Sequence, residues 1–168
     1  FIRSQLGSEE VALSNLRRGR VQMGGFSLQG AASVVPELNL ILAPFLFDSA
    51  AEVDYVMDHW LSSLFAELLA ARGLHFVQWA EVGWTHLYGK QPLVDPAQLA
   101  GQRMRSSTAT GARLFAEAAG MDLISIPFPE VVPALQTGLI DGGQSGVGMY
   151  ALAGIAREAR HLSLTAHA

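Results

Sequence analysis

The chain has 168 residues, half of them apolar and 15% charged, with a net charge of −4. That is enough apolar material to bury the core of one medium domain or two small lobes, and too much for a disordered chain. The ten arginines and single lysine are scattered, so there is no basic footprint for nucleic acid. The nearest thing to a basic patch is Arg17, Arg18 and Arg20, at an expected helix end, where cations offset the C-terminal dipole. With no cysteine, disulfides, thiolate nucleophiles and sulfur-ligated metals are excluded. The longest apolar run, Leu38 to Phe47, is broken by Asn39 and Pro44 and is too short to enter a bilayer as a span.

In chain order, Phe1-Ile2-Arg3 reads as part of a strand. With no initiator Met ahead of it, the segment is expected to belong to a longer chain. Ser8 is positioned to cap a helix that carries Glu9 and Glu10 in its first turn and stops at Gly19. Val21 to Ser27 reads as a strand, and Leu38 to Phe47 as a buried extended run. Ser49 and Glu52 form a capping box that opens a long helix to Arg72, with Gly73 after it. Leu74 to Trp79 reads as a strand, and Asp95-Pro96 starts a short helix ended by Gly101.

Strand and helix then alternate. Arg103 to Ser106 is a strand, Thr108 to Ala119 a helix, Leu123 to Ile126 a strand and Pro129 to Thr137 a helix. Ile140 to Gly142 reads as a short strand, Gly146 to Arg160 as a helix and His161 to Leu164 as a last strand. Short connections between alternating elements give an α/β fold with mainly parallel sheets.

The residues that carry chemistry are few. No two of the five histidines stand four apart, and Glu158 with His161 makes a single E-x-x-H, so no metal site is expected. The run Gly142 to Gly148 is glycine-rich but matches neither G-x-G-x-x-G nor the P-loop pattern, so no cofactor is expected. Ser145 lies where a nucleophile elbow would place its serine, which opens a serine hydrolase reading with His161 or His167 downstream. Val147 stands where that motif needs glycine. Arg105 falls at the C-terminal end of a short strand, where open α/β sheets bind ligands. By position alone it is either a fork for a carboxylate or a surface arginine paired with a neighbouring acid.

Several landmarks, in order, resemble one family. They are Ser4-Gln5-Leu6-Gly7, Gly19-x-Val21-Gln22-Met23, Val35-Pro36-Glu37-Leu38, Ala43-Pro44-Phe45-Leu46-Phe47, and Leu99 to Arg105. Most specific is Pro127-Phe128-Pro129-Glu130-Val131, continuing through Ala134-Leu135-Gln136-Thr137-Gly138 to Asp141-Gly142. The chain resembles the DctP-like solute-binding subunit of tripartite ATP-independent periplasmic (TRAP) transporters along essentially its whole length.

The resemblance implies a type II periplasmic binding protein fold, with two lobes of mainly parallel sheet joined by hinge strands. Residues 1–82 would be part of lobe I. Residues 83–168 would be a lobe II segment ending near the second hinge crossing, with the first crossing near Gly83. It also implies a non-enzymatic periplasmic receptor for an organic acid, partnered by TRAP membrane permease subunits, with the same fold serving as a sensor domain as a further possibility.

Residue by residue, Arg105 matches the family arginine that pairs with the ligand carboxylate, and Phe128 the aromatic residue that packs on the ligand. Thr85 stands where the family often has a second arginine, and Ser145 where it has an asparagine. Trp84 lies beside that arginine position, and Phe26 and Ser27 where the family often places first-lobe contacts. Losing one cation and gaining aromatics implies a monocarboxylate with an apolar or aromatic body.

Overall fold

The computed structural model describes residues 7–168. The strand expected at Phe1-Ile2-Arg3, and residues 4–6 of the first landmark, lie outside the described residues.

Helix α1, Glu9–Arg17, starts as its sequence requires. The Ser8 side chain accepts from the Val11 N–H, Glu9 and Glu10 lie at the positive end of the dipole, and Arg17 at the negative end. The expected strand Val21 to Ser27 does not form. No neighbouring strand among the described residues offers it a ladder, and Ser27 instead caps α2, Leu28–Ala31, by accepting from the Gly30 N–H at 3.0 Å.

The apolar run that follows is not extended either. Pro36–Leu42 winds into a 3-10 helix with the proline in its first turn and buries Leu38 and Leu42. Those two residues stand four apart, a helical spacing that the continuous apolar run conceals. From Ala50 to Ala70 the chain is helical as expected, in three pieces: α3, Ala50–Val56, a π turn over Met57–Leu61, and α4, Ser62–Ala70. Ser49 accepts from the Glu52 N–H, and the Glu52 carboxylate accepts from the Asp48 N–H. Leu74 to Trp79 forms no strand; Trp79 packs on Phe65 and Phe76 and donates its indole N–H to Ser62.

The second half is a five-stranded sheet flanked by helices. Its strands are β1, Thr85–Gly89, β2, Arg103–Ser106, β3, Asp122–Ser125, β4, Gly142–Gly146, and β5, His161–Ser163. They lie in the order β3-β2-β4-β1-β5. β3, β2 and β4 are parallel, whereas β1 runs antiparallel to both β4 and β5, so the sheet is mixed. Helix α5, Thr110–Ala118, connects β2 to β3, and α6, Val131–Thr137, leads from β3 towards β4 after a 3-10 turn at Phe128–Glu130. The helix expected over 146–160 is two, α7, Val147–Leu152, and α8, Ile155–Glu158, because Gly154 takes the left-handed conformation between them.

The short strand expected at Ile140 to Gly142 is displaced to the glycine-rich run itself. Ile140 is instead fully buried in the core. A Cβ on Gly142 would meet the Tyr88 carbonyl oxygen on β1, so the ladder closes only because that residue has none.

Leu87, Leu93, Leu99, Met104, Ala116 and Met121 form one core beneath α5. Tyr88, Val131, Leu135, Ile140, Tyr150 and Ile155 form another beneath α6 to α8. A third core joins the halves: Val35, Leu38, Leu42 and Phe65 pack against Ala109 and Ala112 at the start of α5. At that junction the Gly111 N–H donates to the Asn39 side chain at 3.0 Å.

Candidate ligand-binding site

Arg105 projects from β2 on the same sheet face as Tyr88, one strand beyond Gly143. It is half-buried, its Nε donates to the Ile126 carbonyl at 3.1 Å, and its guanidinium carbon lies 5.7 Å from the centre of the Phe128 ring. That face-on contact is a cation–π arrangement that leaves the rest of the fork uncommitted. Arg103, two residues earlier, does what a structural arginine does, pairing with Asp141 at 2.7 Å and tying β2 to the start of β4. Among the described residues no carboxylate lies within ion-pair distance of Arg105. Burial lowers the Arg105 pKa, opposed by the Tyr88 phenol and by the carboxylates of Glu9 and Glu10.

The other sequence-predicted residues are placed as follows. Phe128 opens the turn after β3, half-buried against the core beneath α6. Ser145 is buried in β4, opposite His86 on β1. Thr85 begins β1 with its carbonyl accepting from the His167 N–H at 3.1 Å, and Trp84 precedes it half-buried. Phe26 folds its ring over Gly24. Ser27 donates both its N–H and its hydroxyl to Glu9, at 2.8 and 2.5 Å. Arg105 and Phe128 are therefore in contact. Ser145 sits on the adjoining strand β4, on the face of Gly143, whereas Thr85 lies one strand further, on β1, and alternates to the sheet face opposite to that of Tyr88. Phe26 and Ser27 belong to the helical half, where Glu9 connects them to the field felt by Arg105.

Glu9 was legible in the sequence only as a helix-start charge, and Tyr88 lay in a strand whose uninterrupted burial gives no alternating pattern.

A nucleophile would need a base, and among the described residues none is hydrogen-bonded to Ser145. It sits within the strand rather than on a turn, and its hydroxyl donates to the Gly146 carbonyl at 3.2 Å. His86 accepts from the Ala166 N–H through Nδ1, and His167 is bonded to Gln144 and Thr165. Among the described residues no three His, Asp or Glu side chains converge as metal ligands, and no helix is long and apolar enough to cross a membrane. Two surface hollows lie elsewhere. A polar one of about 310 Å³ is lined by Arg17, Arg18 and Arg72, and an apolar one of about 470 Å³ runs between the 3-10 helix and α4. Neither borders Arg105.

His167 fastens the strand that carries Ser145. A glutamine carbonyl oxygen only accepts, so His167 Nε2–H donates to Gln144 at 2.7 Å and Nδ1 accepts from the Thr165 hydroxyl at 2.8 Å. Its ring stacks on Phe115 at 4.2 Å. Burial, with a smaller push from His86, takes its pKa from 6.5 down to about 4. The unfolded chain thus binds a proton near pH 6.5 that the folded chain refuses until about pH 4. Stability from the neutral ring is intact above that window and lost as pH falls through it, by about 3 kcal/mol in all. Thermal melts from pH 7 to 4 should show this fall, and His167→Gln should flatten it relative to its own value at pH 7. An unchanged profile would mean that the ring is not held neutral.

The family model for bacterial extracellular solute-binding proteins, family 7 (DctP), matches residues 1–168. The 2,3-diketo-L-gulonate-binding periplasmic protein of Escherichia coli K12 is 28% identical over 169 residues, covering 100% of this chain and 52% of its own length. Among solved structures, a TRAP periplasmic solute-binding protein of Roseobacter denitrificans with bound β-D-glucuronate superposes with a TM-score of 0.92 at 27% identity. It covers 98% of this chain and 55% of its own. One from Sulfitobacter sp. NAS-14.1 with bound β-D-galacturonate gives 0.93 at 26%, with the same coverage of each chain. The chain spans about half the length of the curated relatives it matches. It belongs to the DctP family of bacterial extracellular solute-binding proteins, with the type II periplasmic binding fold.

Proposed function

We propose that this chain forms the ligand-enclosing part of a periplasmic receptor that binds an organic acid anion on Arg105 and delivers it to a TRAP membrane permease. The observation that carries this reading is the half-buried guanidinium, stacked on Phe128, with no carboxylate in contact among the described residues. A cation so placed has lost part of its hydration without gaining a counterion, and an incoming carboxylate restores what burial removed.

Residues 1–82 then supply one wall, with Phe26 and Ser27, and residues 83–168 the other, with Trp84, Thr85, Arg105, Phe128 and Ser145. Gly83, at φ +81° just before β1, is the pivot. Ligand touching both walls binds the shut form better than the open one, and so selects closure. The ligand class we favour is a monocarboxylate with an apolar or aromatic body. Thr85 brings no second cation, and Trp84, Phe26 and Phe128 are all half-buried aromatics. Those two solved neighbours hold hydroxylated sugar acids, which makes body polarity the point to test.

The test is a thermal-shift and calorimetric titration of the full chain with D-glucuronate, D-galacturonate, succinate and phenylacetate. A ligand at 100 times its Kd adds about 2.7 kcal/mol. At about 2–4 °C per kcal/mol, that is a shift of several degrees. A larger shift with phenylacetate supports the apolar body, and a larger one with the uronates overturns that part of the reading. No shift with any acid overturns the receptor reading for this site.

A further inference from the structure

Tyr88 is fully buried, yet its hydroxyl is the one buried side-chain polar atom among the described residues with no hydrogen-bond partner. Native interiors rarely leave such an atom alone, because the lost hydration is not repaid. Its position is specific. Tyr88 on β1 pairs in register with Gly143 on β4, and β2, carrying Arg105, is the next strand over. A Cβ on Gly143 would fall onto the Tyr88 hydroxyl and would stand 3.2 Å from the Arg105 Cβ. The phenol therefore crosses over the bare backbone of Gly143 and ends beside the root of the Arg105 side chain. Tyr150, the other aromatic hydroxyl of this core, donates to the Ala159 carbonyl at 2.7 Å, so the fold does satisfy such groups where it has no other use for them.

We propose that Tyr88 is a further ligand-contacting residue, its O–H donating to the carboxylate that Arg105 holds, so that the acid is gripped from β2 by a fork and from β1 by a phenol. This rests on the proposed role of Arg105 and deepens it. A phenol donor favours an oxyanion and adds no charge, so it supplies a second contact where a second arginine would demand a second carboxylate. It also gives Gly143 a function: a Cβ there would fall on the Tyr88 hydroxyl and crowd the root of the Arg105 side chain.

The test is Tyr88→Phe in the full chain, which keeps the ring and removes only the oxygen, beside Arg105→Ala and wild type. Titration uses D-glucuronate and phenylacetate. The expected result is a Kd raised about tenfold or more in Tyr88→Phe. The ligand-free melting temperature should be unchanged or higher, since an orphaned polar atom has been removed. If Tyr88→Phe binds like wild type while Arg105→Ala loses binding, the Tyr88 contact is wrong and the Arg105 site stands. A ligand-free melt lowered by several degrees would mean the hydroxyl has a partner within the protein, which also overturns the proposal. Should wild type bind neither of these acids, nor D-galacturonate or succinate, both fall together.

Discussion

Arg105→Ala is expected to raise the Kd for the bound acid about 100- to 10,000-fold while leaving the fold nearly as stable as before. A bidentate guanidinium–carboxylate pair makes two charge-assisted hydrogen bonds of about 1.5–3 kcal/mol each, and every 1.4 kcal/mol is tenfold in affinity. Within the protein the same side chain makes only the bond to the Ile126 carbonyl and the contact over Phe128. Losing those costs about 1–2 kcal/mol, part of which returns when a half-buried charge no longer has to be desolvated. Arg105→Lys keeps the charge but not the planar fork, and should fall between the two. Calorimetry gives the affinities and a thermal melt the stability. A Kd for Arg105→Ala within threefold of wild type would place the anion elsewhere.

The largest structural effect is expected at Gly142. An alanine Cβ there would overlap the Tyr88 carbonyl oxygen, with Gly89 Cα and Met104 Sδ each only 3.0 Å away. The carbonyl belongs to the neighbouring strand of the central ladder and cannot turn aside without breaking it, and Met104 is fully buried on the other flank. Overpacking of this kind costs about 3 kcal/mol or more. In a domain of this size that is about 6–12 °C in melting temperature, or outright failure to fold. Gly148→Ala is the matched control: it lies in α7 with nothing near its Cβ position, and helix propensity favours the alanine by about 1 kcal/mol. Similar melts for the two variants would contradict the β1–β4 register.

These two sites mark the limits of what the residues disclose on their own. The strand Arg103–Ser106 and the helices ended by Gly120 and Gly138 were readable, because caps, apolar spacing and stop signals all act within a turn or two of the chain. β4 was not, since its glycines are required by the backbone of β1, a partner more than fifty residues away. The segments Val21 to Ser27 and Leu38 to Phe47 misled for a related reason: β-compatible residues become strands only when a ladder is offered. At the site, Arg105 was singled out by its place at a strand end and then by the resemblance, Phe128 by the resemblance alone, and the two are in contact. Tyr88 was not singled out, because an orphaned hydroxyl is a property of packing.

One short segment near His167 has a consequence for how the protein comes apart. The His167 carbonyl accepts from the Phe45 N–H at 2.8 Å, and the His167 N–H donates to the Thr85 carbonyl at 3.1 Å. A single residue thus sews a loop of the helical half to the first strand of the sheet. Neither bond can open by local fraying of a helix end, so the amides of Phe45 and His167 should exchange with solvent at matching rates, slower than those of the α2 turn. Closing loops this long is entropically slow, so the crossing should form late in refolding, after each half has its own core. Until it does, β1 is held only by its ladder and by the cores of its own half, through Leu87 and Tyr88, and the anion-binding face it helps to build should mature last.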